Sequence, residues 1–372
     1  MDKFPYKRYL KTVERISHTR ALMDGREVVL FCANDYLGLA DHPEVISRAA
    51  EAAQSSGFGA GSAPLISGHT QYHEKLREEL AGFKSAESSL LFGSGYSANT
   101  GIIPALAGKD DVIFSDRLNH ASIIDGCRLS GAKINIYGHN DHVQLKKLLS
   151  EKSRGENRLI VTEAVFSMDG DIAPLPEIIH AANTYGARLY IDEAHSTGVL
   201  GETGRGIFEH FKISPEHDVI QMGTLGKALG SYGAFAAGNT EYMELLINTV
   251  RTFIFSTALP PSVCAAALAA LEILRHEPER LARLHENARM LRDGLKKIGC
   301  TITGGGTPII PVIVGAAEEA VRLSDALSAS GFYAPAIRPP SVPEGECRIR
   351  FTVSAAHAPS DIDALLEAMK KL

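Results

Sequence analysis

The chain has 372 residues, too many for one small core, so two domains or a large domain with an appendage are expected. Its 45% hydrophobic and 22% charged content suits a soluble globular protein, and a net charge of −6 without Lys/Arg runs disfavours a nucleic-acid partner. Five cysteines without a CxxC pair point to neither a zinc site nor a disulfide framework, which fits a reducing, cytoplasmic compartment. Residues 1–33 read as a short arm; its start, MDKFPYKRYLKTVERI, is charged throughout and unlike a signal peptide. From residue 34 to about 240, short apolar runs alternate with helical spacing. The runs are SSLLFGSG, DVIFSD, KINIYG, RLIVTEAVFS, ARLYIDEAHS, DVIQMGTLG and YGAFAAG. Most are rich in β-branched or aromatic residues and bounded by Gly, Asp or Ser. Between them lie segments such as YHEKLREELAGF, where Leu76, Leu80 and Phe83 share one helical face. Strands alternating with helices predict an α/β fold with a mostly parallel central sheet and helices on both faces. The longest apolar run, Ser262 to Leu274, is too short to span a bilayer and contains a glutamate, so no membrane segment is expected. The last third alternates helix and strand again. It predicts a smaller C-terminal α/β domain over 274–372, behind a large domain over 34–273.

In an open parallel sheet, ligands bind beyond the carboxyl ends of the strands. The residues that follow the apolar runs are Ser94-Gly95-Tyr96, Asn119-His120, Ser167, Asp192 with His195, and Thr224 with Lys227. All are polar or glycine. Lys227 stands in QMGTLGKALGSYGAFAAG, and apart from Asp218 no acid lies within ten positions of it. An amine set among Gly and Ala can approach a flat ligand closely. Partial desolvation would lower its pKa and make it nucleophilic, as Schiff-base chemistry requires; the alternative is an ordinary loop lysine. GTLGK is not a GxxxxGK[ST] phosphate loop, because Ala228 stands where the hydroxyl belongs. Asp192 ends a buried run and calls for a cationic partner, a role a protonated pyridine nitrogen would fill. Alternatively it caps a helix beside a core histidine; a metal pair with His195 lacks a third ligand. LLFGSGYSANTG feeds a strand into a Gly-rich turn and a helix whose first amides would suit a phosphate, unless Tyr96 is a core residue. His120, ahead of a possible N-cap at Ser122, would stack on an aromatic ligand or serve the fold alone. Each signal taken singly favours the structural reading. Together they describe a phosphate cradle, a stacking ring, an acid for a pyridine nitrogen and an imine-forming lysine, which is a pyridoxal phosphate (PLP) site with no metal.

The motifs NHASIIDGCRLS, EAVFSMDGDIAPL, IDEAHSTGVLGETGRG, GTLGKALGSYGAF and RPPSVPEGECRIRFTVSAAH resemble the α-oxoamine synthases, a family of fold-type I PLP-dependent transferases with an aspartate aminotransferase-like fold. The resemblance runs from Asn34 to Asp363. It implies that Lys227 forms the cofactor imine and serves as acid and base at the substrate α-carbon. Asp192 would pair with the pyridine nitrogen, His120 would stack on the ring, and His195 and Ser167 would bond the ring oxygen. Gly95, Tyr96 and Thr224 would hold the phosphate, with Ser256 and Thr257 reaching it from the neighbouring subunit of a homodimer. Arg350 would grip the amino-acid carboxylate, and Asn34, Arg8 and Ser341 would line the substrate pocket. Within the family, RPPSVP, GSYGAF and MDGDIAPL look most like the branch that condenses L-alanine with a pimeloyl thioester, carried by coenzyme A or acyl carrier protein, in biotin biosynthesis. A sister branch such as glycine C-acetyltransferase is the alternative, and a non-catalytic binding protein on the same fold is the alternative of another class. One departure stands out: GAGSAPLISG carries Ala63-Pro64 where the family often has Ser-Arg.

Overall fold

The computed structural model describes residues 9–151, 157–215 and 218–372. Three short strands open it: β1 (Val13–Arg15), β2 (Arg20–Met23) and β3 (Arg26–Leu30) form an antiparallel meander. The seven apolar runs then become β4 (Ser88–Phe92), β5 (Val112–Asp116), β6 (Lys133–Tyr137), β7 (Arg158–Glu163), β8 (Arg188–Asp192), β9 (Val219–Thr224) and β10 (Ala234–Gly238). They build one sheet in the order β4-β10-β9-β8-β7-β5-β6, in which β10 alone runs antiparallel to its neighbours. Side chains on each strand alternate between two cores, as the strand period of two requires. Leu91, Phe114, Ile160 and Ile191 point to one face. Leu90, Phe92, Ile113, Val161 and Tyr190 point to the other. Helices cover both: Gly95–Leu106, Ala121–Ser130 and Thr240–Thr249 on the second, Gln71–Phe83, Leu175–Tyr185 and Pro261–His276 on the first. Leu76, Leu80 and Phe83 are buried together on one face of Gln71–Phe83. Each such aliphatic or aromatic side chain contributes about 1.5–3 kcal/mol when fully buried.

The C-terminal part holds β11 (Ile309–Gly315), β12 (Phe332–Tyr333), β13 (Ala336–Ile337) and β14 (Cys347–Thr352). β11, β14 and β13 form an antiparallel sheet. β12 instead pairs parallel to β3, so the residues read as an arm are tied to the C-terminal part. Residues 31–36 continue that seam. Thr352 N–H donates to the Phe31 carbonyl at 2.8 Å, Thr352 Oγ1 to Ala33 at 2.7 Å, and Ala355 N–H to Tyr36 at 2.8 Å. This seam brings Asn34 and Tyr36 beside β14. No helix among the described residues is long and apolar enough to cross a membrane.

Candidate active site

A cavity of about 240 Å³ opens at the carboxyl ends of the parallel strands. Gly95, Tyr96, Asn99, His120, Ser122, Glu163, Asp192, His195, Met222, Thr224 and Lys227 line it with Ala194. The topology explains the gathering. β10 lies between β4 and β9, so the turn after β4 and the β9–β10 loop that carries Lys227 border one opening. That loop is closed by Gly230 N–H on the Lys227 carbonyl, 2.9 Å, and by Leu225 N–H on Gly233, 2.9 Å. Gly230 has φ +59°, and a Cβ there would stand 2.5 Å from the Ala40 nitrogen, so only glycine fits.

Lys227 Nζ is partly buried and donates to His195 Nε2 at 2.9 Å. Burial lowers its amine to about 8, against the opposing charges of Asp192 and Glu163 and with help from Arg350. His195 is buried and kept neutral, first by burial and then by the charges of Lys227, Arg350 and His120. Its Nδ1 lies 2.7 Å from the Tyr36 hydroxyl. An ammonium can only donate, so Nε2 accepts and Nδ1–H donates to Tyr36. Tyr36 O–H then donates to Asn34 Oδ1 at 3.2 Å, and Asn34 Oδ1 receives both terminal nitrogens of Arg350 at 3.4 and 3.3 Å. A continuous chain of hydrogen bonds therefore joins Lys227 to Arg350. Arg350 Nε donates to the carbonyl of Ser167, which sits in the turn after β7.

Asp192 ends β8, where Ala194 N–H reaches Oδ1 at 2.9 Å and Asn99 Nδ2 reaches Oδ2 at 2.8 Å. The Asn99 amide is oriented by Tyr190, whose hydroxyl donates to its Oδ1 at 2.6 Å. Its Nδ2 also donates to Ser122 Oγ at 2.9 Å. Asp192 caps no helix, so the helix-cap reading falls. The N-cap of Ala121–Ser130 is His120, not Ser122: the Ser122 N–H donates to His120 Nδ1 at 3.2 Å. A nitrogen that accepts carries no proton, so the exposed His120 ring is held as the Nε2–H tautomer. Tyr96 is 48% exposed, which removes the core reading, and its ring meets His120 edge-on at 6.5 Å. Ser94 caps the helix Gly95–Leu106 and accepts from Ser97 N–H at 3.1 Å. Gly95 and Tyr96, the first residues of that helix, line the cavity, and the first amides of a helix have no partner within it.

Glu163, Asn99, Tyr36 and Met222 were not singled out in the sequence. Glu163 pairs in register with Asp192 across β7 and β8, and burial followed by the Asp192 charge raises its carboxyl well above the usual range. A glutamate closing a strand after the apolar residues Leu159, Ile160 and Val161 was the available signal. Ser256 and Thr257 are exposed and line a groove with Pro64, His73 and Arg77 whose lining does not include Lys227. Ser341 is exposed in the turn after Arg338, to whose carbonyl its N–H donates at 3.0 Å. Arg8 lies outside the described residues. Ala63-Pro64 begins a π-helical turn, Pro64–Gly68, that leaves Leu65 and Ile66 exposed.

The residues present suit PLP: a primary amine of lowered pKa, a carboxylate already oriented by two N–H donors, and a helix N-terminus at one end of the cavity.

The family profile described as aminotransferase class I and II matches residues 26–369. The chain belongs to that family, the fold-type I enzymes, and its cofactor is PLP. The comparison with known proteins narrows this further. The chain is 51% identical over 368 residues to the 8-amino-7-oxononanoate synthase of Geobacter sulfurreducens, covering 98% of this chain and 94% of that one. A high-resolution structure of SPT with PLP superposes with TM-score 0.93 at 33% identity, over 97% of this chain and 92% of that one. The 8-amino-7-oxononanoate synthase of Francisella tularensis superposes with TM-score 0.81 at 32% identity, over 92% and 97%. Within the class, the chain belongs to the 8-amino-7-oxononanoate synthases, acyltransferases of biotin biosynthesis.

Proposed function

We propose that the protein condenses L-alanine with a pimeloyl thioester of coenzyme A or acyl carrier protein. The products are 8-amino-7-oxononanoate, carbon dioxide and the free thiol. The observation that carries the reading is the chain Lys227–His195–Tyr36–Asn34–Arg350, which sets an amine and a guanidinium on one connected frame. Bound PLP supplies an electron sink for the carbon next to the substrate amine. Lys227 Nζ would hold it covalently until the alanine amine displaces it, and the freed amine would then take the proton from the alanine α-carbon and return one after decarboxylation. An amine lowered to about 8 is partly free base near neutrality, as both tasks require. Arg350 takes the alanine carboxylate on its two terminal nitrogens, with Nε spent on Ser167. Asn34, which receives Arg350, and Ser341 would line the substrate pocket.

Asp192 would accept from the pyridine nitrogen, using lone pairs left by Asn99 and Ala194. Its charge keeps that nitrogen protonated. His120 would stack on the ring as a neutral imidazole, and Ser167 and His195 would hydrogen-bond the ring oxygen. The Gly95 and Tyr96 amides and Thr224 hold the phosphate. Ser256 and Thr257 complete that cradle from the partner of a homodimer in the cytoplasm. Phe255, at 71% exposure, and Ile66, at 80%, stand on the loops that carry Ser256 and Pro64, and a second subunit would cover them.

The test is product formation. PLP-loaded protein is supplied with L-alanine, glycine or L-serine and with pimeloyl or acetyl thioester, and carbon dioxide and the amino ketone are measured. Turnover with L-alanine and pimeloyl thioester is expected. Preference for glycine with an acetyl thioester would transfer the protein to the glycine C-acetyltransferase branch.

A further inference from the structure

A charged cluster that none of these roles uses lies behind the turn after β7. His139 follows β6 and is partly buried. Its Nδ1 stands 3.1 Å from Asp116 Oδ1 and its Nε2 2.7 Å from Asp171 Oδ2. A neutral imidazole has one N–H, so donation to both carboxylates requires the imidazolium. Burial alone would lower this imidazole, but the hydrogen bonds and charges of Asp116 and Asp171 outweigh it and push it up to about 10. The ring also packs edge-on against Phe166, with centroids 4.4 Å apart and planes at 86°.

The cluster joins a fixed point to a turn. Asp116 ends β5 and is held there by the N–H groups of Leu118 and Asn140, each at 2.8 Å. Asn140 Nδ2 joins His139 on Asp171 Oδ2 at 2.7 Å. Phe166 N–H donates to the Asp171 carbonyl at 3.1 Å and Gly170 N–H to the Phe166 carbonyl at 2.8 Å, closing residues 166–171 into a tight turn. Ser167 lies inside that turn, and its carbonyl receives Arg350 Nε. Arg348, on the same face of β14, takes the other side of the turn through Asp169 Oδ1 at 2.6 Å and the Met168 carbonyl at 3.3 Å.

We propose that His139, clamped as an imidazolium between Asp116 and Asp171, is a positioning residue for Arg350: it fixes the turn whose Ser167 carbonyl aims the guanidinium at the substrate carboxylate. The proposal rests on the reading of Arg350 as the carboxylate grip. A planar fork bonds a carboxylate through two donors at once, so a small swing of its Nε anchor breaks the pairing. Without the imidazolium, the two aspartates lose the cation between them, and the turn is left with its own backbone bonds, Arg348 and the neutral donors Asn140 Nδ2, on Asp171, and Thr307 Oγ1, on the Gly170 carbonyl.

The experiment is an equilibrium absorbance titration of the PLP-loaded protein with L-alanine and with ethylamine, the same amine without its carboxylate. Wild type, His139→Gln, Asp171→Asn and Arg350→Ala are compared at equal cofactor occupancy. His139→Gln and Asp171→Asn should each weaken alanine about tenfold, the scale of one charge-assisted hydrogen bond, and leave ethylamine unchanged. Arg350→Ala should weaken alanine at least as much. Equal losses for alanine and ethylamine would mean a general structural role and overturn the proposal. So would unchanged alanine affinity in both clamp variants while Arg350→Ala loses it. Unchanged alanine affinity in Arg350→Ala would overturn the carboxylate reading itself, and the proposal with it. Asp171→Asn keeps the side-chain shape and carries the test if His139→Gln does not fold.

Discussion

Removing Lys84 should unbalance a buried charge directly behind the active site. Lys84 and Glu193 are both 0% exposed in their side chains, with Nζ 2.7 Å from Oε1. Glu193 is the residue after Asp192, and its Oε2 also receives Ser196 Oγ at 2.6 Å and Ile207 N–H at 2.8 Å. Lys84 Nζ further donates to the Arg205 carbonyl. Burial lowers the lysine pKa, and the Glu193 charge and hydrogen bond oppose that shift. Substituting Lys84→Met leaves Glu193 with two neutral donors and no countercharge, at a cost of about 3–5 kcal/mol. Lys84→Met/Glu193→Gln removes both charges and should recover about 2–3 kcal/mol of that loss, because contacting residues couple on this scale. The assay is urea unfolding of the cofactor-free protein followed by far-ultraviolet circular dichroism, so that bound PLP does not mask the change. Arg322→Met, at the exposed Arg322–Glu319 pair, is the control and should shift the midpoint little. A Lys84→Met loss below about 1 kcal/mol, or a double variant no better than the single one, would refute the account of a water-excluded pair.

Three further outcomes follow from the site. The rate at which cofactor-free protein takes up PLP covalently should rise with pH through about 8, the value to which burial lowers Lys227; a midpoint near that of a free lysine would contradict the desolvated amine. Lys227→Ala and Ser256→Asp homodimers should each be inactive, and mixing them after co-refolding should restore turnover, since one site of the heterodimer has both native residues; no restoration would remove Ser256 from the partner's phosphate site. His139 titrates from 6.5 unfolded to about 10 folded, so its contribution to stability is complete below the lower value and is lost as pH rises through the upper one. The thermal-midpoint gap between wild type and His139→Gln should therefore shrink from pH 7 to pH 10, and a gap that widens would reverse the assignment.

The sheet was legible because most of its strands are short apolar runs bounded by Gly, Asp or Ser, and period-two alternation states which residues face which core without reference to any other strand. The strand-end residues Gly95, His120, Asp192, Thr224 and Lys227 were legible for the same reason: a polar residue after a buried run is costly, so its presence asks for a ligand or a partner. What the tertiary structure alone decided is which of these ends meet. Nothing local places β10 between β4 and β9, and that insertion sets Lys227 opposite the Gly95 helix. Glu163 looked like one acid in one strand until the register set it beside Asp192. Asn34 reaches Arg350 across 316 residues through a seam of backbone hydrogen bonds, and His139 reaches Asp171 across 32 residues. Local sequence encodes burial and backbone preference over a few residues. Strand order, register and long-range side-chain pairing are set by how the whole core packs, and that information is spread over the chain.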